Sequence, residues 1–198
     1  MFLNKTRFKK MLKNAYNYGG LTVGRVYNGL VLSGNGWTVW TEEGYVPNWL
    51  KAAIMELTGE LPRAECVFTA QKGEVLQFEI AENEYLDLPA RFLEARIPFT
   101  VTPIGYSTNL TEYRMLQNKK TGRIIAFPSC FYDTLDFSEL DKEETAPTGP
   151  SSRSEDADMM FWKNEHSAVA FHTAKTGDTF CTRTMELIKD INWGEKVN

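Results

Sequence analysis

The fold is decided by residues 21–41, LTVGRVYNGLVLSGNGWTVWT, in which two turns separate three β-rich runs. We predict the turns at Asn28-Gly29 and at Gly34-Asn35-Gly36, because asparagine and glycine readily adopt the positive φ angles that tight hairpin turns require. Strands joined by such turns lie antiparallel. This stretch therefore predicts two consecutive hairpins at the start of an antiparallel sheet.

Helical patterns lie on both sides of these hairpins. Residues 6–17 place apolar side chains at the i, i+3, i+4 and i+7 positions of one face, and residues 49–57 show a similar stripe after Pro47. Further elements are predicted as hairpins at 65–80 and 159–172, a three-strand meander at 99–128, and helices at 84–95 and 183–191. The fold class is therefore α+β, a largely antiparallel sheet of hairpins with three to four helices.

The segment 138–158, SELDKEETAPTGPSSRSEDAD, has almost no large apolar side chain. Its residues 139–158 include seven acidic and two basic residues, a net charge of −5, whereas the whole chain carries −4. Such a composition buries too little apolar surface to offset the conformational entropy of ordering. It predicts a disordered acidic loop, and it leaves the rest of the protein nearly neutral.

The 40 residues from 159 to 198 follow this segment and contain a single cysteine and no metal-binding cluster. A piece of that size does not build a stable core alone. We therefore expect residues 159–198 to complete the core of the residues before the loop. Residues 1–198 then form a single compact domain, with the loop 138–158 inside it.

The chain shows no signal for a membrane or for export. No run approaches the roughly 20 apolar residues that cross a bilayer, and the first residues are too basic for the apolar core of a secretory signal. The three widely spaced cysteines, Cys66, Cys130 and Cys181, fit reduced thiols better than a disulfide framework. A cytoplasmic protein is expected.

The residue patterns predict no catalytic centre, no metal site and no cofactor. The two histidines, His166 and His172, do not match the close pairs of zinc ligands, and no glycine-rich stretch ends in the Gly-Lys-Ser/Thr of a phosphate-binding loop. A cysteine nucleophile at Cys130 or Cys181 remains an enzymatic alternative. Arg183 near Cys181 is its one activating neighbour in the sequence.

The first helix is the strongest candidate for a nucleic-acid contact. Residues 5–13 contain five basic side chains and no acidic one, a pattern that neutralises phosphates without reading base sequence. An ordinary solvated face is the alternative, and the acidic loop could cover this helix until a polyanion displaces it. The candidate residues are Lys5, Arg7, Lys9, Lys10 and Lys13.

An aromatic cluster that begins at Trp37 is a candidate protein-binding surface. Trp37 and Trp40 point to opposite faces of their strand, so one is expected in the core and the other partly exposed. Exposed aromatic side chains are favoured anchors at protein interfaces, although core packing is the alternative for each of them. The candidate residues are Trp40, Tyr45, Trp49 and Met55.

The first eighty residues resemble one repeat of a DNA sliding clamp. They run through a short start, a basic amphipathic helix, three strands, a helix that starts at a proline and a hairpin. The similarity lies in residues 1–16 and 46–80. It implies helices that line a bore around DNA in an oligomer that is acidic overall, and it assigns no individual residue.

These features together predict a non-enzymatic binding or accessory protein, with a protein or protein–nucleic acid assembly as its partner. A phage or bacterial accessory or inhibitory factor has this combination of size and charge. The first alternative is direct association with nucleic acid through the first helix, in a clamp-like oligomer. The second is a cysteine-dependent enzyme.

Overall fold

The secondary structure alternates short helices with antiparallel strands. A computed structural model describes residues 1–79, 84–138, 145–175 and 177–194, and none of the helices in these ranges is long and apolar enough to cross a membrane. The helices are α1 (Lys5–Tyr18), α2 (Asn48–Thr58), α3 (Leu88–Glu94), α4 (Ser129–Tyr132) and α5 (Thr179–Ile188). The strands are β1 (Leu21–Val26), β2 (Gly29–Gly34), β3 (Trp37–Glu42), β4 (Val67–Ala70), β5 (Gln77–Glu79), β6 (Ile97–Ser107), β7 (Glu112–Asn118), β8 (Ile124–Pro128), β9 (Thr148–Ser152), β10 (Met159–Lys163) and β11 (Ser167–His172).

The eleven strands form one antiparallel sheet in the order β5-β4-β1-β2-β3-β11-β10-β9-β6-β7-β8. This confirms the predicted α+β class and the single compact fold built from hairpins. The helix count exceeds the prediction by the one-turn α4, which is too short to show a helical pattern in the sequence. The predicted helix at 84–95 is a 3-10 turn followed by α3, with Pro89 in the first turn of α3.

The first hairpin turn lies one residue earlier than predicted. Val26 pairs with Gly29, so the two loop residues are Tyr27 and Asn28, with φ angles of 54° and 56°. Gly29 instead begins β2, where an added Cβ would lie 2.5 Å from the backbone oxygen of Thr41. Glycine is therefore needed for close strand contact, and the positive φ angles fall on its two predecessors.

The carboxyl-terminal hairpin lies in the middle of the sheet. Strand β11 pairs with β3 and β10 pairs with β9, so residues 159–172 join the two ends of the sheet. Met160, Trp162, Val169 and Phe171 are buried in the same core cluster as side chains of α1 and α2. This hairpin thus supplies both backbone pairing and apolar side chains to the core.

The far part of the sheet curls back on itself. Ala174, just after β11, pairs with Ala126 of β8, and its N–H donates to the Ala126 oxygen at 3.1 Å. Strands β6 to β11 therefore close into a barrel-like unit. Phe127, Trp162 and Phe171 pack together inside it, with ring centroids 5.5–6.2 Å apart.

Part of the predicted disordered loop is a strand. Strand β9 lies between β10 and β6, with Ser151 opposite Phe161 and Ser152 opposite Ile97. The prediction of a disordered loop over 138–158 is therefore wrong for residues 148–152, and residues 139–144 lie outside the described ranges. The amino-acid composition of this segment does not predict β9, because the strand is stabilised by backbone pairing with β10 and β6. Small polar side chains allow such pairing.

Helices cover both faces of the sheet. Trp37 and Val39 of β3 point into the cluster beneath α1 and α2, whereas Trp40 points into the cluster beneath α3. We call these sides the α1 face and the α3 face. Surfaces on the two faces are therefore separated by the sheet.

Candidate functional site

Helix α1 presents one polar face to solvent. Its start is capped by Asn4, whose side-chain oxygen accepts the Arg7 backbone N–H at 3.1 Å. Phe8, Leu12 and Ala15 are buried against the sheet and α2. Because apolar contacts hold these positions, the opposite side of the helix has a defined orientation toward solvent.

The lysines of α1 lie on or beside this solvent face. Arg7 is different, because its guanidinium lies 3.5 Å from the Asp133 carboxylate, which Arg114 also approaches at 4.0 Å. None of the α1 lysines forms an ion pair within the described residues, and only Lys9 is partly buried. We call these four residues the basic surface: Lys5, Lys9, Lys10 and Lys13.

The stability of α1 does not explain this charge pattern. The amino-terminal end of a helix carries a partial positive charge, which favours acidic side chains there and basic ones at the other end. Helix α1 has no acidic residue in its first turn and no basic residue in its last turn. Lys5 lies in the first turn, where a basic side chain is unfavourable, and the other three lysines lie in the middle of the helix, where the helix dipole does not favour them.

Helix α2 lies beside α1 and carries part of the predicted protein-binding surface. The Phe8 ring meets Trp49 edge-on, with ring centroids 6.4 Å apart, so Trp49 is partly buried against the core. Met55 is 50 % exposed and Tyr45 is 45 % exposed. The Tyr45 ring stacks on His166, which leaves one side of the tyrosine for other contacts.

Trp40 does not belong to this surface. Its side chain is only 7 % exposed, and its indole N–H donates to the Tyr27 carbonyl at 3.1 Å. Trp37 is buried as well, with 2 % of its surface exposed, so the prediction that one of these two tryptophans is partly exposed is wrong. The strand pattern indicated that Trp40 lies on the second face of the sheet, but not that Leu88 and Ala95 at the two ends of α3 help to cover that face.

The two cysteines of the enzymatic alternative lie in different environments. Cys130 lines a groove with Met11, Asn14 and Phe131, and the described lining side chains of this groove include no histidine and no carboxylate. Partial burial raises the pKa of the Cys130 thiol, so that it stays protonated at neutral pH. Cys181 on α5 is fully buried in a small apolar cluster beside β8.

The two histidines lie in different parts of the molecule. His166 Nδ1 is 2.7 Å from a Glu42 oxygen, and His172 Nε2 is 3.5 Å from the Tyr85 hydroxyl. Within the described ranges, no group of three or more His, Cys, Asp or Glu side chains is arranged to hold a metal ion.

A cleft on the α3 face was not predicted from the sequence. It has a volume of about 490 Å³ and lies between α3, the end of β9, β10 and the end of β11. Its charged and polar lining residues are Arg91, Glu94, Ser152, Arg153, Ser154, Asp158 and His172, and its floor contains Met159 and Phe161. Its basic residues lie far apart in the sequence, so no local pattern could have revealed it.

Arg91 is the central side chain of this cleft. Its guanidinium carbon lies 4.5 Å from the Tyr85 ring centroid and 5.6 Å from that of Phe161. It donates to the Tyr85 carbonyl at 2.8 Å and contacts the Met159 sulfur at 3.1 Å. Burial lowers the pKa of Arg91, although an arginine remains charged at neutral pH.

Comparison with known proteins adds no relative to these observations. No family model and no curated protein matches the sequence. The function must therefore be argued from the chemistry of the surfaces described above.

Two described acidic residues near β9 form ion pairs away from α1. Asp156 lies 3.2 Å from Arg123, and Asp158 lies 3.2 Å from Lys175. In the described part of the chain, no ion pair joins residues 145–158 to the basic surface. The hypothesis that the acidic segment covers α1 also involves residues 139–144, which lie outside the described ranges.

Proposed function

We propose that this protein acts by binding, without a catalytic step of its own, as an accessory component of a protein–nucleic acid assembly. The observation that carries the proposal is the basic surface on α1, which has four lysines and no ion pair within the described residues. A concentrated positive charge on one face of a chain whose overall net charge is −4 is the feature that attracts a polyanion.

The spacing of the lysines fits a phosphate backbone. Lys5, Lys9 and Lys13 follow one another at four-residue intervals, which corresponds to about 6 Å along the helix axis. Duplex DNA carries one charge per about 1.7 Å of its axis, so successive lysines can reach different phosphates. Contacts of this kind give affinity and no sequence preference.

The protein partner would meet the adjacent surface of α2. Met55 on α2 and Tyr45 just before it are exposed large apolar side chains, and α1 and α2 pack directly on each other. Methionine and tyrosine are enriched at protein interfaces because they bury much area at low entropic cost. A partner that binds here would lie next to any nucleic acid held by α1.

A salt series tests the nucleic-acid part of the proposal. Fluorescence anisotropy of a labelled duplex, measured between about 50 and 200 mM salt, should show affinity that falls with a log–log slope of about −3.6 if four lysines each contact a phosphate. A labelled single strand should give a shallower slope, of about −2.8. An absence of binding at the lowest salt, or an affinity that does not depend on salt, would contradict it.

A clamp-like oligomer is the second candidate. The described structure contains the order α1, β1, β2, β3, α2, β4 and β5, on which the resemblance to a clamp repeat is based. In such an oligomer the basic surface would face DNA from several copies at once. Light scattering during size-exclusion chromatography, with and without DNA, should then give a multiple of the 22.6 kDa chain mass; a monomer in both conditions excludes a stable ring.

A further inference from the structure

The Arg91 guanidinium on the α3 face is only partly satisfied. It carries five N–H donors, and its hydrogen bonds to Tyr85 and Met159 commit only some of them. It forms no ion pair with any described carboxylate, although Glu94 lies one turn further along α3. Partial burial of a cation that has no paired carboxylate raises the free energy of the folded protein, and a bound anion lowers it.

The acidic side chains around Arg91 are already paired with other cations. Glu94 forms its ion pair with Arg153, and Asp158 forms one with Lys175 at 3.2 Å. Among the described residues that line the cleft, Arg91 is therefore the charged side chain without an ion-pair partner. Arg153 lies close enough to Arg91 that its charge acts on the Arg91 guanidinium. Its ion pair with Glu94 is exposed to solvent, so the N–H donors that this pair does not use can contact an anion held by Arg91.

The rest of the cleft combines hydroxyl groups with flat rings. Ser154 lines the wall next to Arg153, and the exposed imidazole of His172 lies at the rim beside Tyr85. The floor is apolar, formed by Met159 and Phe161. The volume of about 490 Å³ falls within the range of about 300–1,000 Å³ that is typical of small-molecule sites.

We propose that this cleft binds a nucleoside monophosphate, a small ligand in which a sugar links a phosphate monoester to a flat ring system. Arg91 and Arg153 hold the phosphate, because guanidinium groups match its oxygens in pairs. Ser154 donates to it, and the rings of His172 and Tyr85 lie beside the flat part of the ligand. Nucleic acid bound at α1 does not occupy this cleft, since the sheet separates the two faces.

Isothermal titration calorimetry of the full chain tests the proposal with three probes: nucleoside monophosphates, the corresponding nucleosides and inorganic phosphate. The monophosphates are expected to bind more tightly than either of the other two. Arg91→Met keeps an apolar side chain against Phe161 and removes the guanidinium group. This variant should bind monophosphates about 10- to 100-fold more weakly. Arg91→Lys should recover only part of this loss, because an ammonium group does not form the paired contact.

Arg96→Met is the matched control. Arg96 follows α3, donates to the Leu93 carbonyl and does not line the cleft, so its replacement should leave binding unchanged. His172→Ala alters an exposed rim residue and should weaken the monophosphates more than inorganic phosphate. It provides a second test if circular dichroism shows that Arg91→Met does not fold.

Four results would overturn the proposal. They are no binding of any monophosphate, equal binding of nucleoside and nucleotide, affinity unaffected by both Arg91→Met and His172→Ala, and a 5′-phosphorylated single strand that competes for the cleft as strongly as the mononucleotide. The last result would assign the cleft to the end of a nucleic acid strand. Variants of the basic surface should not change mononucleotide binding, so this test is independent of the proposed function.

Discussion

Replacing Lys9, Lys10 and Lys13 together by glutamine is expected to weaken binding to duplex DNA roughly 500-fold at about 0.1 M salt. Each lysine–phosphate contact releases about 0.9 counterion, so three contacts contribute about 2.7 powers of ten to the affinity at this salt. The salt slope should become shallower by about 2.7 as well. Helix α1 should stay folded, because its buried stripe of Phe8, Leu12 and Ala15 is unchanged.

A matched control separates local contacts from net charge. Lys119, Lys120 and Arg183 are exposed, lie outside α1 and form no ion pair with a described residue. Replacing these three by glutamine removes the same charge from the protein. Anisotropy titrations should show a small, parallel loss for this control, and an equal loss in both triple variants would show that α1 is not the contact surface.

Trp162→Ala is expected to lower the free energy of unfolding by about 3–5 kcal/mol. The Trp162 side chain is 2 % exposed, and its ring centroid lies 5.5 Å from that of Phe127 and 6.0 Å from that of Phe171. Its removal leaves a cavity inside the barrel-like unit, because β10 is held between β9 and β11 and the walls cannot fully collapse. Urea denaturation followed by circular dichroism measures the change.

The unfolding curve also tests how the carboxyl-terminal hairpin is integrated. Because β10 and β11 lie between β3 and β9, the wild-type protein and Trp162→Ala should each unfold in one cooperative transition. Phe180→Ala, at an aromatic residue that is 70 % exposed, should change the free energy of unfolding by less than about 1 kcal/mol. Two separate transitions in the wild-type protein would mean that residues 159–198 are not part of the same folding unit.

The parts of the fold that sequence alone predicted are the local ones. The hairpins of residues 21–41 and the helix at 6–17 depend on turn chemistry and on the spacing of apolar residues within a few turns. Even there, the first turn lies one residue earlier than predicted, because Gly29 begins β2 and only a glycine fits its close contact with β3. That contact is a tertiary constraint, and the sequence around the turn contains no sign of it.

The candidate binding residues show the same division. Composition and periodicity were sufficient to locate the basic surface, since the exposed face of an amphipathic helix follows from its own sequence. They could not show that Arg7 pairs with Asp133, or that α3 covers Trp40. Each of these facts depends on a partner that lies about forty or more residues away in the chain.

The sequence by itself determined an α+β protein of antiparallel hairpins with a lysine-rich first helix. Tertiary structure decided the place of β9 within the acidic segment, the burial of Trp40 and the cleft around Arg91. The physical reason is the range of the interactions. Turns and helical faces are set by neighbours in the chain, whereas strand pairing, burial and clefts are set by the segments that folding brings together.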